Sequence, residues 1–222
     1  VREMRTAKTV LTVIQERGKQ KKPIERVYKL LFNRELYLNA YAKLYPNNGA
    51  MTKGVTDETV DGMSIQKIDR MIEILREEKY QWKPARREYI KKKNGKKRPL
   101  GIPVWGDKVL QEVMRQILEA YYEPQFSEHS HGFRPNRGCH TALQEIQVWK
   151  GTRWFIEGDI SQYFDTIDHK ILLEILARNI HDGRFIRLVS NMLEAGYLEE
   201  WKFNQTISGV PQGGVISPIL AN

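Results

Sequence analysis

An α+β fold is predicted for this 222-residue chain from three observations. Apolar residues recur at helical spacing through most of its length, an Asn94-Gly95 turn sits between two strand-like flanks, and Trp154 to Ile160 is an apolar run of strand length.

The elements follow in order. From Thr6 to Glu16, Val10, Leu11, Val13 and Ile14 lie at helical spacing, and Gly18 followed by Lys19 to Lys22 and Pro23 is expected to end that helix in a basic linker. A second helix is expected from about Ile24 to Tyr45, stopped by Pro46-Asn47-Asn48-Gly49. A third runs from about Ser64 to Glu78, with half a capping box at Ser64 and a buried stripe of Ile65, Ile68, Ile72 and Leu75. Arg86 to Val104 reads as a hairpin whose turn is embedded in Lys91, Lys92, Lys93, Lys96, Lys97 and Arg98. A long helix from Asp107 to Tyr122 follows, then a loop rich in His, Gly and Pro, then a helix from about Thr141 to Trp149. Trp154 to Ile160 is the expected strand, Ile167 to Ala177 and Phe185 to Leu193 are expected helices, and Leu198 to Ile207 is expected to be extended. There is no internal repeat and no low-complexity run.

Charge is distributed unevenly. Residues 1–100 hold 25 Lys and Arg against 12 Asp and Glu, whereas residues 101–222 hold 11 against 15. A basic N-terminal half points to a polyanionic partner, most often nucleic acid; the plainer reading is a solubilising surface. With 41% hydrophobic residues the chain can fill a core, which excludes general disorder. The single Cys139 excludes an intramolecular disulfide framework and a cysteine-based zinc module. No apolar stretch approaches the roughly 18 residues of a membrane span, and the N-terminus has no hydrophobic signal core. No membrane partner and a cytoplasmic location are therefore expected.

Two stretches carry chemistry. Phe155 to Asp165 would be an apolar strand that delivers Asp159 at its end, followed by a turn with two aromatics. A carboxylate projecting from a strand end suits Mg²⁺, a hard cation that takes oxygen ligands and neutralises charge in phosphoryl transfer. Asp165 and Asp168 precede a helix and read better as caps. Ser208 to Pro218 places three glycines around Pro211-Gln212, where backbone can approach a ligand, and Ser217-Pro218 reads as an N-cap with proline at the first helical position. His129, His131, Cys139 and His140 cluster in sequence, but their spacing fits no common zinc pattern. The five tryptophans read as core or rim aromatics.

Taken in order, these stretches resemble the reverse transcriptases encoded by group II introns, the intron maturases, over nearly the whole chain. Thr52-Lys53-Gly54-Val55-Thr56 is similar to the family's Gly-rich entry segment, although Lys53 stands where an acidic residue is usual. Lys97-Arg98-Pro99-Leu100-Gly101-Ile102-Pro103 resembles the fingertip motif, and His131-Gly132-Phe133-Arg134-Pro135-Asn136-Arg137-Gly138 the next. Gly158-Asp159-Ile160 with Phe164-Asp165 resembles the first catalytic motif of the palm, and Gly209-Val210-Pro211-Gln212-Gly213 the motif after it. The resemblance implies a right-hand polymerase: an N-terminal helical arm over 1–22, fingers over 23–150 and a partial palm over 151–222, with the family's second catalytic motif, Tyr-Ala-Asp-Asp, expected after Asn222.

The resemblance further implies that Asp159 and the Ile160 carbonyl bind two Mg²⁺ ions, and that Lys92 and Arg98 cradle the triphosphate of an incoming dNTP. Gln212 would lie beside that nucleotide and Phe164 beneath its sugar, as a steric gate against a 2′-hydroxyl. Lys19, Lys21, Lys22, Arg134 and Arg137 are the expected RNA contacts. The implied partners are group II intron RNA, an RNA template and a DNA primer, with splicing assistance beside DNA synthesis. This chain alone is expected to bind RNA without polymerising, and an apolar sheet face left bare would favour its self-association into a homodimer. Two other readings are a non-catalytic RNA-binding maturase and an RNA-templated RNA polymerase; Phe164 in the gate position speaks against the second.

Overall fold

The computed structural model describes residues 5–91, 95, 97–200, 202–206, 208–210 and 213–222. Helix α1 (Ala7–Lys19) is capped by Thr6, whose hydroxyl accepts the Thr9 N–H at 3.2 Å. Gly18 does not end it. A Cβ on Gly18 would lie 2.1 Å from the Tyr121 carbonyl oxygen, so this glycine is where the helix crosses its neighbour. The expected second helix is divided into a two-residue strand β1 (Ile24–Glu25), a 3₁₀ turn (Val27–Phe32) and helix α2 (Arg34–Leu44). The break has a local cause: Arg26 adopts φ +55°, and the Asn33 side chain accepts the Glu35 N–H at 3.0 Å, making Asn33 an N-cap inside the apolar run. Helix α3 (Ile65–Arg76) begins as its sequence predicts, with Ser64 Oγ accepting the Lys67 N–H at 3.2 Å.

Strands β2 (Ala85–Lys91) and β3 (Lys97–Ile102) form the expected antiparallel hairpin, with Gly95 at φ +79° in the turn. Helix α4 (Trp105–Tyr122) is the central member of the fold. Its Val109, Leu110, Val113, Met114, Ile117 and Tyr121 are fully buried, and α1 and α2 pack along it. Ala7 and Ile14 of α1 belong to the same core. Helix α5 (Cys139–Gln147) contains no buried residue. After a short helical turn α6 (Tyr163–Thr166) come α7 (His169–Asn179), capped by Asp168 as its sequence predicts, strand β4 (Ile180–His181) and α8 (Gly183–Leu193). Asp182 caps α8 and also accepts the Tyr28 N–H at 2.9 Å, tying the C-terminal helices to the N-terminal segment. Strands β5 (Tyr197–Glu199) and β6 (Lys202–Asn204) form a second hairpin. Helix α9 (Ser217–Ala221) starts one residue earlier than expected, with Ile216 in the cap position and Pro218 inside the first turn.

The main sheet has the order β3-β2-β5-β6, with β2 and β5 parallel; β1 and β4 make a separate two-stranded pair. The expected strand from Trp154 to Ile160 is not formed. Residues 151–160 are irregular and exposed, and Ile156 retains 95% of its accessible surface. A strand exists through a hydrogen-bonded neighbour, and no described segment pairs with this one. Among the described residues no helix is long and apolar enough to cross a membrane.

Candidate functional site

A cleft of about 380 Å³ opens between the β2–β3 hairpin, the start of β5 and the loop that carries Gly209. Its formation depends on one close approach. The Val210 N–H donates to the Phe164 carbonyl at 2.7 Å and the Gly209 N–H to the Ile167 carbonyl at 2.8 Å, so the loop clasps the turn after Asp159. Gly209 has φ +87°, and a Cβ there would sit 2.8 Å from the carbonyl oxygens of both Phe164 and Asp165. Only glycine meets both demands. The His169 ring supports the loop from outside, with Nε2 2.7 Å from the Gly209 carbonyl. A carbonyl oxygen only accepts, so Nε2 carries the proton in this contact. At the far end of the loop, Gly213 lies against the Gly101 carbonyl of β3.

Strand alternation decides which hairpin residues face the cleft. Ala85, Arg87, Pro99 and Gly101 line it, and the pairings Arg87 with Gly101 and Tyr89 with Pro99 place these on one face. Arg98 pairs with Ile90, one residue out of phase, on the opposite face. The cation of the cleft is Arg87. Its guanidinium lies 3.7 Å from the centroid of the Tyr197 ring, and its Nε is buried without a hydrogen-bond partner among the described residues. Arg87 is not among the residues expected from the sequence; its position opposite Gly101 in the predicted hairpin is the signal that points to it. His169 gave no signal, because its contact depends on a loop 40 residues away.

The other expected site residues are dispersed. Asp159 is exposed and makes no hydrogen bond or ion pair among the described residues. Ile160 is 67% exposed. Phe164 is half-buried, its ring meeting that of Tyr163 edge-on at 5.8 Å, and Asp165 lines the cleft. Lys92 and Gln212 lie outside the described residues. Lys19, Lys21 and Lys22 are exposed, and Lys19 pairs with Glu16 at 2.7 Å. Tyr121 anchors this basic stretch by donating to the Lys22 carbonyl at 3.0 Å.

Arg134 is buried and internally committed: it forms an ion pair with Glu123 at 2.9 Å and donates to the carbonyls of Ser127 and Ser130. Arg137, partly buried, donates to the Glu128 carbonyl. His129 and His131 both bond the Glu145 carboxylate, which these contacts, that of His131 first, hold below the usual carboxylate range. No group of three carboxylate, imidazole or thiolate side chains among the described residues forms a metal cage. Asp159 and the Ile160 carbonyl are thus a partial set of hard oxygen donors, of the kind Mg²⁺ uses together with water and phosphate oxygens.

The sequence profile of the family described as reverse transcriptase (RNA-dependent DNA polymerase) matches residues 90–222, a segment that takes in Asp159, the Phe164-Asp165 turn and the loop clasped on it. This chain belongs to the reverse transcriptase family. Over 199 residues it is 51% identical to the group II intron-encoded protein LtrA of Lactococcus lactis subsp. cremoris, a match that covers 89% of this chain and 33% of that protein. It is 47% identical over 224 residues to an uncharacterized 91 kDa protein in the cob intron of Schizosaccharomyces pombe, covering 97% of this chain and 28% of that one. The chain therefore spans about a third or less of the length of these two relatives. Among solved structures, a chain of a partial Cas6-RT-Cas1–Cas2 complex superposes with a TM-score of 0.57 at 19% identity, over 88% of this chain and 33% of that one, which shows a shared fold.

Proposed function

We propose that this chain supplies the fingers and the front of the palm of an RNA-directed DNA polymerase encoded by a group II intron, a protein that also binds its intron RNA and assists splicing. The observation that carries the reading is the clasp of Gly209 and Val210 on the Phe164-Asp165 turn, which sets that turn beneath the β2–β3 hairpin. Within the proposal, residues 1–22 are the arm, 23–150 the fingers and 151–222 the palm portion.

Asp159 and the Ile160 carbonyl would hold Mg²⁺, which when bound supplies charge neutralisation for phosphoryl transfer. Phe164 would lie beneath the sugar of the dNTP and Gln212 beside it. Lys92 and Arg98 would meet the triphosphate from the hairpin, with Arg87 inside the cleft as a further cation; arginine offers phosphate a planar fork of donors. For RNA the exposed Lys19, Lys21 and Lys22 are the proposed contacts with template or intron, and Arg137 on the 127–138 loop is a further proposed contact. Arg134, consumed by internal hydrogen bonds, would shape that loop.

The test is primer extension by the complete polymerase carrying Asp159→Asn. Removal of an anionic ligand with little change of shape is expected to lower the rate at least a hundredfold, about 2.7 kcal/mol of barrier, with RNA affinity retained. A rate within tenfold of the parent would remove Asp159 from the site. A parent protein that binds RNA and never extends a primer would instead favour a maturase without polymerase activity.

A further inference from the structure

We propose that His169 is a positioning residue of the polymerase: it locks the Gly209–Val210 peptide in the orientation that holds the Phe164-Asp165 turn, and so sets how tightly and how selectively a deoxynucleotide is held. The role rests on the proposed placement of Phe164 beneath that nucleotide's sugar and supplies what keeps Phe164 there.

Both backbone groups of Gly209 are gripped by one short segment. Its N–H donates to the Ile167 carbonyl at 2.8 Å, and its carbonyl accepts from His169 Nε2 at 2.7 Å. The Gly209 carbonyl and the Val210 N–H belong to one planar peptide unit. That N–H donates to the Phe164 carbonyl at 2.7 Å, so the imidazole and Phe164 hold opposite ends of the same peptide. A hydrogen bond accepted by the carbonyl polarises the amide and strengthens the bond that its N–H donates. Gly209 and Val210 are buried, which leaves their polar groups dependent on these partners.

The glycine makes such a lock necessary. At φ +87° and without a Cβ, Gly209 tolerates either orientation of the peptide that follows it. A flip would turn the Val210 N–H away from Phe164 and bring two carbonyl oxygens together. The Ser208 hydroxyl, on the Asp165 carbonyl at 3.2 Å, steadies the loop one residue earlier and does not constrain that peptide. His169 itself stands on fixed backbone. It is the first residue of α7, whose cap Asp168 accepts the Ile171 N–H at 3.0 Å and whose Leu172 and Leu176 are buried in the core. The ring lines the groove beside α7 with Lys170 and Glu174, and not the cleft, so it acts on a nucleotide only through the loop.

The test compares two variants of the complete polymerase: His169→Phe, which keeps a ring and removes the donor, and His169→Gln, whose amide N–H reaches toward the same carbonyl. In single-nucleotide extension His169→Phe is expected to raise the KM for dNTP at least fivefold and to lower kcat less than threefold. Its preference for deoxynucleotide over ribonucleotide is expected to fall at least fivefold, whereas His169→Gln stays within twofold of the parent in all three. Hydrogen exchange of peptides spanning Val210, followed by mass spectrometry, is expected to be at least tenfold faster in His169→Phe and near the parent rate in His169→Gln. A role in packing alone predicts the reverse order, with the Phe variant retained and the Gln variant impaired. That order overturns the proposal, as does an effect confined to kcat or an unchanged exchange rate. If a melting curve shows that His169→Phe does not fold, His169→Ala takes its place. Phe164→Val separates the lock from the sugar placement on which it rests. If Phe164→Val leaves sugar preference unchanged, that placement falls, and the exchange arm decides the lock: acceleration rescued by Gln upholds it, and no acceleration overturns it. If Phe164→Val lowers sugar preference and His169→Phe does not, the placement stands and the role of His169 is overturned.

Discussion

At the scale of single residues, the same chemical group has opposite settings in two places. Asp159 stands in solvent, and Asp107 is enclosed beside Tyr80. Burial raises the Asp107 carboxyl to about 6, outweighing the lowering effect of the Tyr80 and Lys83 hydrogen bonds. The folded chain therefore holds this proton more tightly than the unfolded chain does. The stability it confers is fully present below the ordinary value of 3.8 and is lost as pH rises through about 6. The shift corresponds to roughly 2–3 kcal/mol between those limits. Asp107→Asn cannot titrate, so its urea-unfolding free energy is expected to lack that fall between pH 4 and pH 7 relative to the parent. Parallel pH profiles for the two proteins would show that the carboxyl is not enclosed as described.

At the scale of elements, helices whose stripe meets the core were legible in the sequence, because 3.6-residue spacing is a property of the segment itself. Ile68, Ile72 and Leu75 of α3 are buried as their spacing requires. The β2–β3 hairpin was legible for a similar reason, its turn residues and flanks being local. Gly18 misled, since a glycine needed for a crossing is settled by a partner far away in sequence, whereas the Asn33 cap two residues before Glu35 was a local signal hidden inside an apolar run. The segment at 154–160 has strand composition, yet pairing belongs to two segments and cannot be read from one. The cleft was half legible: the loop's glycines were singled out, but the phase that puts Arg87 inside and Arg98 opposite emerges only from the register.

Helix α5 shows the converse, an element held by polar contacts with Leu143 and Ile146 exposed. His131 joins Glu145 at 2.7 Å and Thr141 at 2.8 Å, and Thr141 ties the helix start to Gly138. Glu145→Ala is expected to speed amide exchange over Cys139–Gln147 at least tenfold and to leave α4 unchanged. The Glu145 contribution is present above the ordinary glutamate range and lost as pH falls below it, the sense required by a lowered carboxylate. Equal exchange in parent and variant would show that other contacts hold the helix.

At the scale of the whole molecule, the division of charge is the property most open to measurement. The half that carries 25 of the 36 cationic residues includes the end of α1, the hairpin tip and α3, so a polyanion that follows the surface can neutralise several charges at once. Each phosphate neutralised releases counterions, and log K should fall against log salt by about 0.9 per phosphate on a duplex and nearer 0.7 on a single strand. Lys21 and Lys22 are exposed beyond the end of α1, while Lys19 shares its charge with Glu16. Replacement of all three by Ala is therefore expected to lower the slope for structured RNA by about two phosphate equivalents, most of it from Lys21 and Lys22, and Lys19→Ala alone should change it little. The stretch is anchored through backbone, by Tyr121 on the Lys22 carbonyl, so these side chains can be removed without releasing the loop. An unchanged slope in the triple variant, with an unchanged melting temperature, would place the RNA on the hairpin and α3 faces instead.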